Sequence, residues 1–202
     1  ASRVYNKEAL TNGEVTVSGD GFAKNEGATY TVTGSQTEVG ESDNTFTYTL
    51  KEGTLASNYN ITKKEGKLSI TPVTDEVTVT IKGNSKTTPY NGTVQSVGGY
   101  TVESISNTLY KTTDFTLKGS AVATGKDAKY PMNLDATQFV NNNTNFANVK
   151  FEIAEDGQLI INPRAVTLTS ETASKDYDGT PLTRPDVKVE GNFVEGEVTK
   201  VE

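Results

Sequence analysis

The feature that most constrains this sequence is a short motif that recurs along it. The clearest copy is Lys175–Thr183, which reads Lys-Asp-Tyr-Asp-Gly-Thr-Pro-Leu-Thr, and Pro89–Gln95 is a second copy. Val4–Leu10 is a degraded third copy. The tyrosines of these copies are 85 and 87 residues apart. Self-similarity at a fixed period predicts a tandem array of small domains and not one domain of 202 residues.

Between the motif copies, short stretches alternate apolar and polar residues with period two and end at Gly or Pro. This pattern, rich in Thr, Val, Tyr and Ile, predicts strands joined by tight turns. Five strands in the first copy, with turns every 8–16 residues, predict an all-β fold of antiparallel sandwich type. The predicted strands are Glu14–Gly19, Thr29–Gly34, Thr45–Leu50, Asn58–Thr62, Lys67–Pro72, Glu76–Gly83, Arg164–Thr169 and Asp186–Gly191.

Matching anchors divide the chain into three predicted segments. Gly66–Pro72 matches Gly157–Pro163 at an offset of 91, whereas the tyrosines are offset by 85. The segments are residues 1–72, a repeat lacking its first strand; 73–163, a complete repeat; and 164–202, the first half of a third. The middle repeat thus carries about six extra residues, which we expect at Asp135–Asn143. Asp135 is suited to cap a single helical turn there.

The last 39 residues are too few to bury an independent core. We therefore expect residues 164–202 to pack on a neighbour. That neighbour is either the middle repeat or the incomplete edge of another molecule's first repeat, since an unpaired strand edge invites β-strand exchange between chains.

Composition excludes several functions. The chain has no His and no Cys, so a Ser-His-Asp triad, a cysteine nucleophile and a thiolate metal site are impossible. No phosphate-binding loop, zinc spacing or paired-carboxylate cleft is evident. We expect no enzyme activity and no cofactor. The net charge of −7 argues against nucleic acid, and no stretch is apolar enough for membrane insertion.

The motif itself is predicted to be structural. Asn91-Gly92 and Asp178-Gly179 are turn dipeptides, and the preceding Tyr offers a large apolar body that can seat against a small core. A ligand-binding loop is the alternative. The first copy has Asn6-Lys7 where Gly should stand, so the glycine geometry is not expected to persist there. The predicted structural turn residues are Tyr5, Tyr90, Asn91, Gly92, Tyr177, Asp178 and Gly179.

Two further sites stay open. Asp176 and Asp178 flank Tyr177 and are the weak candidates for a metal site, although calcium usually needs a patterned loop with six to eight oxygens, and none occurs. Solvated turn residues are the plainer interpretation. A Lys–Asn isopeptide crosslink beside a buried acidic residue also stays an alternative. Lys and Asn are abundant, but the sequence marks no particular set of Lys, Asn and acid. Each such bond would remove one ammonia from the intact mass.

The Lys175–Thr183 motif, Val15–Gly19 and the closing Asn58–Pro72 together resemble the tandem YDG/MBG-type repeats of bacterial surface proteins. The resemblance covers essentially the whole chain. It implies tandem Ig-like domains in an elongated array, no catalysis, and a place on the cell surface of Gram-positive bacteria, either cell-wall anchored or secreted in an adhesin-like protein. It supplies no ligand.

From this resemblance we expect a stalk or spacer, whose Pro-bounded joints after Pro72 and Pro163 limit bending. Host glycan or protein would then be bound by other parts of the full-length protein. The alternative is that this chain is itself a module for host glycan or protein, acting through the divergent middle repeat.

Overall fold

The computed structural model describes residues 1–197, which form an all-β protein of many small sheets. No helix in that range is long or apolar enough to cross a membrane. The helical pieces are 3₁₀ turns at Ala56–Asn58, Thr112–Asp114 and Ala136–Gln138. The strands are β1 Ser2–Val4, β2 Ala28–Val32, β3 Gly40–Asn44, β4 Phe46–Leu50, β5 Gly66–Thr71, β6 Val77–Gly83, β7 Lys86–Pro89, β8 Gln95–Gly98, β9 Tyr100–Ile105, β10 Phe115–Leu117, β11 Val122–Gly125, β12 Ala128–Pro131, β13 Phe139–Asn141, β14 Val149–Glu155, β15 Gln158–Asn162, β16 Thr167–Ser170 and β17 Val187–Glu190.

Period-two alternation located several of the strands. The predicted strands at Thr29–Gly34, Thr45–Leu50, Lys67–Pro72 and Glu76–Gly83 are confirmed as β2, β4, β5 and β6. Pro72 follows the last residue of β5, as expected of a residue that has no N–H for the ladder. The predicted 3₁₀ turn is also confirmed, since the Thr137 N–H donates to Asp135 Oδ1 at 2.8 Å.

Two predicted strands are wrong. Glu14–Gly19 and Asn58–Thr62 lie outside every strand, although both alternate well in sequence. An alternating stretch can form a strand only where it pairs with another strand, and neither of these stretches pairs with another segment among residues 1–197. Conversely β3 was missed because Gly-Glu-Ser-Asp-Asn is polar. It is held by pairing with β5 and by the Asp43–Lys67 ion pair at 2.7 Å.

The sheet built around β5 has the order β1-β5-β3. β3 pairs with β5 antiparallel, but β1 pairs with it in parallel, with Arg3 opposite Ile70. The expectation of a purely antiparallel arrangement is therefore wrong. The ladder continues past β1, where the Tyr5 N–H donates to the Thr71 carbonyl at 2.9 Å. The parallel pair brings the motif at residues 4–10 beside the last strand of its own repeat.

The sheet built around β15 reproduces the β5 sheet residue by residue. Its order is β12-β15-β7, again with one antiparallel and one parallel partner. Thr88 lies opposite Ile161 as Arg3 lies opposite Ile70, and the Tyr90 N–H donates to the Asn162 carbonyl at 2.8 Å. The repeat inferred from sequence thus has a matching strand register.

The register also relocates the extra residues of the middle repeat. Gly40 lies opposite Ile70, and Ala128 lies opposite Ile161, so these two positions are 88 residues apart. The offset therefore rises from 85 to 88 before Ala128, and only the remaining three residues come after it. The expectation that all six extra residues lie at Asp135–Asn143 is therefore wrong. Three of them precede β12 and three follow it.

The chain forms two compact units. One consists of Ala1–Val79, Ser104–Thr116 and Phe139–Phe151. The other consists of Thr80–Glu103, Leu117–Gln138 and the residues from Glu152 onward. Neither unit coincides with a predicted repeat, and the boundaries after residues 72 and 163 stay a prediction.

A line of aromatic rings forms much of the core of the first unit. Tyr5 meets Phe146 edge to face with centroids 5.8 Å apart, and Phe146 meets Tyr110 in the same way at 5.1 Å. Phe115 continues the line from Tyr110 to Phe139 and Phe151. Edge-to-face pairs of this kind stabilise a fold by about 0.5–1.5 kcal/mol each beyond their burial. Leu68, Ile70, Val77 and Val79 complete the buried set.

The second unit has an aliphatic core and an exposed hairpin. Ile81, Leu159 and Ile161 are its buried centre, together with Met132 and Leu134. Strands β16 and β17 pair only with each other within the described chain, and every residue of both strands is exposed. The predicted strand pairing of residues 164–202 with another segment is thus absent from the described part of this chain. Exchange between chains stays a prediction.

Candidate functional site

The recurring motif has the same backbone turn in all of its copies. In each, the side-chain oxygen of Asn6, Asn91 or Asp178 accepts a hydrogen bond of 3.0 Å from the backbone N–H two residues ahead. Asn and Asp side chains commonly fix turns in this way. In the middle and last copies the residue two ahead is a Thr, and its hydroxyl donates a second hydrogen bond to the same side-chain oxygen. The motif therefore has the same local structure in every copy, which the turn dipeptides had predicted for the middle and last copies.

The prediction that the glycine geometry is lost in the first copy is wrong, because Lys7 adopts that geometry. Its φ is 69°, close to the 79° of Gly92 and the 78° of Gly179. A side chain in this left-handed region costs roughly 1–2 kcal/mol, because Cβ crowds the following carbonyl. The Asn6 hydrogen bonds and the pairing of Tyr5 with Thr71 on the other side hold the turn in place despite that cost.

The motif tyrosines differ in burial, although the turn is shared. Tyr5 is 6% exposed and packs on Phe146, as a core anchor should. Tyr90 is half-buried, and its hydroxyl donates to Glu197, which raises the pKa of Tyr90. Tyr177 is 98% exposed, so the predicted seating of a Tyr on a core is wrong in the last copy. The described residues around it form only a two-stranded hairpin, which offers no core to cover.

Residues after β17 pack on the middle copy of the motif. A Cβ on Gly92 would come within 2.3 Å of Val194 Cγ1, so the Val194 side chain occupies the space that this glycine leaves. Glu197 accepts from the Tyr90 hydroxyl and lies 3.6 Å from the Lys126 ammonium. A shallow hollow of about 540 Å³ within the second unit is lined by residues that include Tyr90, Val166, Phe193, Val194 and Glu197.

The metal candidates do not gather into a site. Asp178 is engaged by the Lys175 ammonium at 2.8 Å and by Thr180, and these contacts, that of Lys175 foremost, lower the pKa of its carboxyl. Asp176 is exposed and belongs to no cluster of acidic side chains within the described residues. Among residues 1–197, no group of three or more acidic side chains could hold a metal ion. The plainer interpretation of both as turn residues fits this geometry.

The side chain of Asn145 joins distant parts of the first unit. It is 6% exposed, its Oδ1 accepts from the Val39 N–H at 2.9 Å, and its Nδ2 donates to the Glu38 carboxylate. Its carbonyl accepts from the Val73 N–H at 2.9 Å. Asn145 therefore satisfies polar groups from a turn of the first predicted repeat and from the residue just after Pro72.

The backbone around Asn145 fixes the linker between the first two predicted repeats. Val73 forms a parallel bridge with Phe146, and its carbonyl accepts from the Ala147 N–H at 2.9 Å. Val73 is buried and Phe146 packs on Tyr5. We call these residues, Tyr5, Glu38, Val39, Val73 and Asn145–Ala147, the linker clamp. Sequence reasoning missed it, because nothing local marks Asn145 among the neighbouring asparagines.

Tyr110 anchors the loop that carries the linker clamp. Its ring is fully buried, and its hydroxyl donates to Asn141 Oδ1 at 2.9 Å. Asn141 in turn donates from Nδ2 to the Phe146 carbonyl at 3.2 Å. Burial, with a smaller contribution from the charge of Asp114, raises the pKa of Tyr110 to about 12. The neutral phenol is therefore the form that this network stabilises.

An open groove of about 550 Å³ lies within residues 15–63, also in the first unit. Its floor is one face of the β2–β4 pair, where Tyr30 lies directly opposite Tyr48 and Val32 opposite Phe46. Its two walls are the extended stretches 15–22 and 58–63. The rings of Tyr59 and Phe22, one from each wall, contact each other with their centroids 5.0 Å apart. We call this feature the aromatic groove.

The comparisons with known proteins found no counterpart. No protein-family model, no curated protein and no solved structure matches this chain. The linker clamp and the aromatic groove are therefore the two features of the molecule that bear on its function.

Proposed function

We propose that this chain is a run of non-catalytic stalk repeats in an adhesin-like protein of the bacterial cell surface. The protein would be extracellular, either anchored to a Gram-positive cell wall or secreted, and its repeats would be Ig-like domains in an elongated array. Each repeat adds length and holds a separate binding region for host glycan or protein away from the wall. The resemblance of the motif to YDG/MBG-type repeats supports this setting.

The linker clamp is the observation that carries the proposal. A spacer can hold a distal domain at a distance only if its joints resist bending. At the Pro72–Val73 joint, the residue after Pro72 is bound on both of its backbone groups and is also buried. Proline restricts its own φ, and the clamp removes much of the freedom that remains in the next residue.

Small-angle scattering of the chain tests the proposal. We expect an elongated particle for the wild type. Asn145→Ala should broaden the distribution of lengths, because it removes the side-chain hydrogen bonds that join the clamp loop to Val39 and Glu38, while the backbone bonds to Val73 remain. The matched control is Asn142→Ala in the same loop, whose exposed amide donates to Thr116. A compact two-lobed body with a shared cleft would contradict a stalk.

The aromatic groove favours the second candidate, a module that binds host glycan or protein. Tyr30 and Tyr48 are 37% and 38% exposed, and rings presented in this way can stack on the apolar faces of sugars. The groove lies in residues 15–63, whereas the sequence favoured the middle repeat for this role. Titration with a panel of soluble oligosaccharides, followed by tyrosine fluorescence, tests it. Quenching that is lost in Tyr30→Ala would support this candidate over the stalk.

A further inference from the structure

Asn91 is followed by a glycine, in a turn whose geometry bears on the chemistry of the Asn91 side-chain amide. This side chain is exposed. Its Oδ1 accepts hydrogen bonds from both polar groups of Thr93, from the backbone N–H at 3.0 Å and from the hydroxyl at 2.9 Å. The Gly92 N–H makes no hydrogen bond within the part of the chain that the structure describes. The dipeptide therefore presents a polarised amide carbonyl beside an unengaged backbone nitrogen.

The side-chain amide of an asparagine and the next backbone nitrogen can close a five-membered ring. Attack of the Gly92 nitrogen on Asn91 Cγ forms this ring, and the step is fast for an intramolecular reason, since both groups belong to one short segment. During the attack the C=O electron pair moves onto Oδ1, where negative charge develops. Hydrogen-bond donors aimed at a developing oxyanion lower the barrier of such a step. Thr93 supplies two donors, and Gly92 carries no Cβ to obstruct the approach.

We propose that Asn91-Gly92 is a self-modification site, at which this ring closure converts the Asn91 amide to a carboxylate while Thr93 stabilises the reacting oxygen. The modification needs no enzyme and no cofactor, because the nucleophile, the electrophile and the oxyanion donors all lie within residues 91–93. It is independent of the stalk role, since it depends on neither the linker clamp nor the aromatic groove.

Water supplies everything else that the conversion consumes. Hydroxide removes the Gly92 amide proton, the nitrogen bonds to Asn91 Cγ, and Nδ2 leaves as ammonia with a proton from water. The resulting succinimide takes up one water molecule. Opening of the bond between Cγ and the nitrogen restores the main chain with an aspartate at position 91. Opening of the bond between the Asn91 carbonyl carbon and the nitrogen gives isoaspartate, in which the main chain runs through the side chain.

Asn12-Gly13 is the other Asn-Gly dipeptide of the chain, and it has only one of these donors. Asn12 Oδ1 accepts from the Glu14 N–H at 3.0 Å. The Glu14 side chain has no hydroxyl to add a second bond, and its carboxylate opposes negative charge that develops nearby. Asn12 is also half-buried, whereas Asn91 is exposed. The same dipeptide is therefore expected to react more slowly at residue 12.

The last copy of the motif indicates what the product does to the turn. Asp178 carries a carboxylate at this position, and Thr180 donates to it from its N–H and its hydroxyl. An aspartate at position 91 is therefore compatible with the turn, whereas isoaspartate adds a carbon to the main chain. The Lys175 ammonium lies 2.8 Å from Asp178, but the corresponding residue of the middle copy is Thr88. The conversion thus adds a negative charge that no lysine at this motif position neutralises.

Peptide mapping by mass spectrometry, during incubation of the folded chain at mildly alkaline pH, tests the proposal. The wild type is expected to convert Asn91 about two- to tenfold faster than Asn12. Thr93→Val removes the hydroxyl donor and should slow the conversion of Asn91 by a similar factor, whereas Thr93→Ser keeps the donor and should retain the wild-type rate. Thr88→Val is the matched control, because the Thr88 hydroxyl donates to Gln95 and not to Asn91.

Incubation of the same chains in concentrated urea separates the effect of the folded turn from that of the dipeptide. Unfolding should abolish the difference between the wild type and Thr93→Val, since the two donors are then no longer held on Oδ1. Circular dichroism verifies that the variants are folded before the incubation without urea. Faster conversion of Asn91 in urea than in the folded chain would overturn the proposal. Equal rates for the folded wild type and Thr93→Val, or for Asn91 and Asn12, would overturn it too.

Discussion

The Asn145 side-chain oxygen lies 2.9 Å from the Val39 backbone nitrogen, although 106 residues separate them in the chain. This hydrogen bond and the donation from the same amide to Glu38 connect the loop after β13 with the turn before β3. The carbonyl of Asn145 holds Val73. One buried asparagine therefore coordinates two segments that the sequence assigns to different repeats.

Asn145→Ala should lower the free energy of unfolding by about 1–3 kcal/mol, because the half-buried Val39 N–H loses its acceptor. Urea denaturation followed by circular dichroism measures this loss. Asn142→Ala removes an amide from the same loop at an exposed position and should change stability by less than about 0.5 kcal/mol. Equal effects of the two substitutions would show that the loop matters only as a whole and that Asn145 has no special role.

Lys7→Gly should raise the free energy of unfolding by about 1 kcal/mol, because Lys7 has a φ of 69° and glycine adopts this region without steric cost. Thermal unfolding measures the gain. Lys24→Gly, at an exposed position outside the left-handed residues, is the control and should be neutral or slightly destabilising, because glycine increases the entropy of the unfolded chain. No gain at position 7 would mean that Lys7 contacts offset the strain.

Tyr110→Phe should reduce the loss of stability at alkaline pH. The pKa of Tyr110 is raised from 10.0 to about 12, so the folded state retains this proton when the unfolded state has lost it. The stabilisation is therefore complete below about pH 10 and is lost as the pH rises towards about 12. Urea midpoints measured from pH 8 to pH 12 should fall less steeply in the variant.

At neutral pH the Tyr110→Phe variant should be less stable by no more than about 1 kcal/mol, because Asn141 Oδ1 keeps the Asn143 N–H as a donor. Tyr177→Phe removes a fully exposed hydroxyl and should reproduce the wild-type pH profile. If Tyr110→Phe also reproduces it, the alkaline loss of stability comes from other groups.

Gly92→Ala should release the residues after β17 from the middle copy of the motif. The added Cβ meets Val194 Cγ1 at 2.3 Å, in addition to the strain of a φ of 79°. Hydrogen exchange of peptides covering residues 187–197 should become faster in this variant. Gly179→Ala has nearly the same φ, 78°, but no atom lies within 4 Å of its Cβ, so it isolates the backbone effect. Equal exchange in both variants would mean that Val194 does not hold this segment.

The sequence predicted local structure well where local chemistry decides it. The Asp135 cap, the end of β5 at Pro72 and the turns at Asn91-Gly92 and Asp178-Gly179 all depend on residues within a few positions of one another. Even the error at Lys7 follows this rule. The substitution of Gly suggested a lost turn, but pairing with the distant strand β5 imposes the turn on a residue that disfavours it.

The sequence failed where a partner elsewhere in the chain decides the outcome. Val15–Ser18 alternates as well as β2 does, yet it forms no strand, because no backbone hydrogen bond joins it to another segment of residues 1–197. β3 is polar and was missed, because its pairing with β5 is what makes it a strand. The parallel β1–β5 pair joins residues 67 positions apart and leaves no periodic signal.

By itself, then, the sequence determined that this is an all-β chain with a recurring Tyr-Asx turn, since alternation and turn chemistry act over a few residues. Only the tertiary structure decided that Asn145 secures the linker at Val73, that the extra residues of the middle repeat are split around β12, and that residues 15–63 form the aromatic groove. Those features arise from pairing and packing between residues far apart in the chain. The local sequence around one residue does not identify its distant partner.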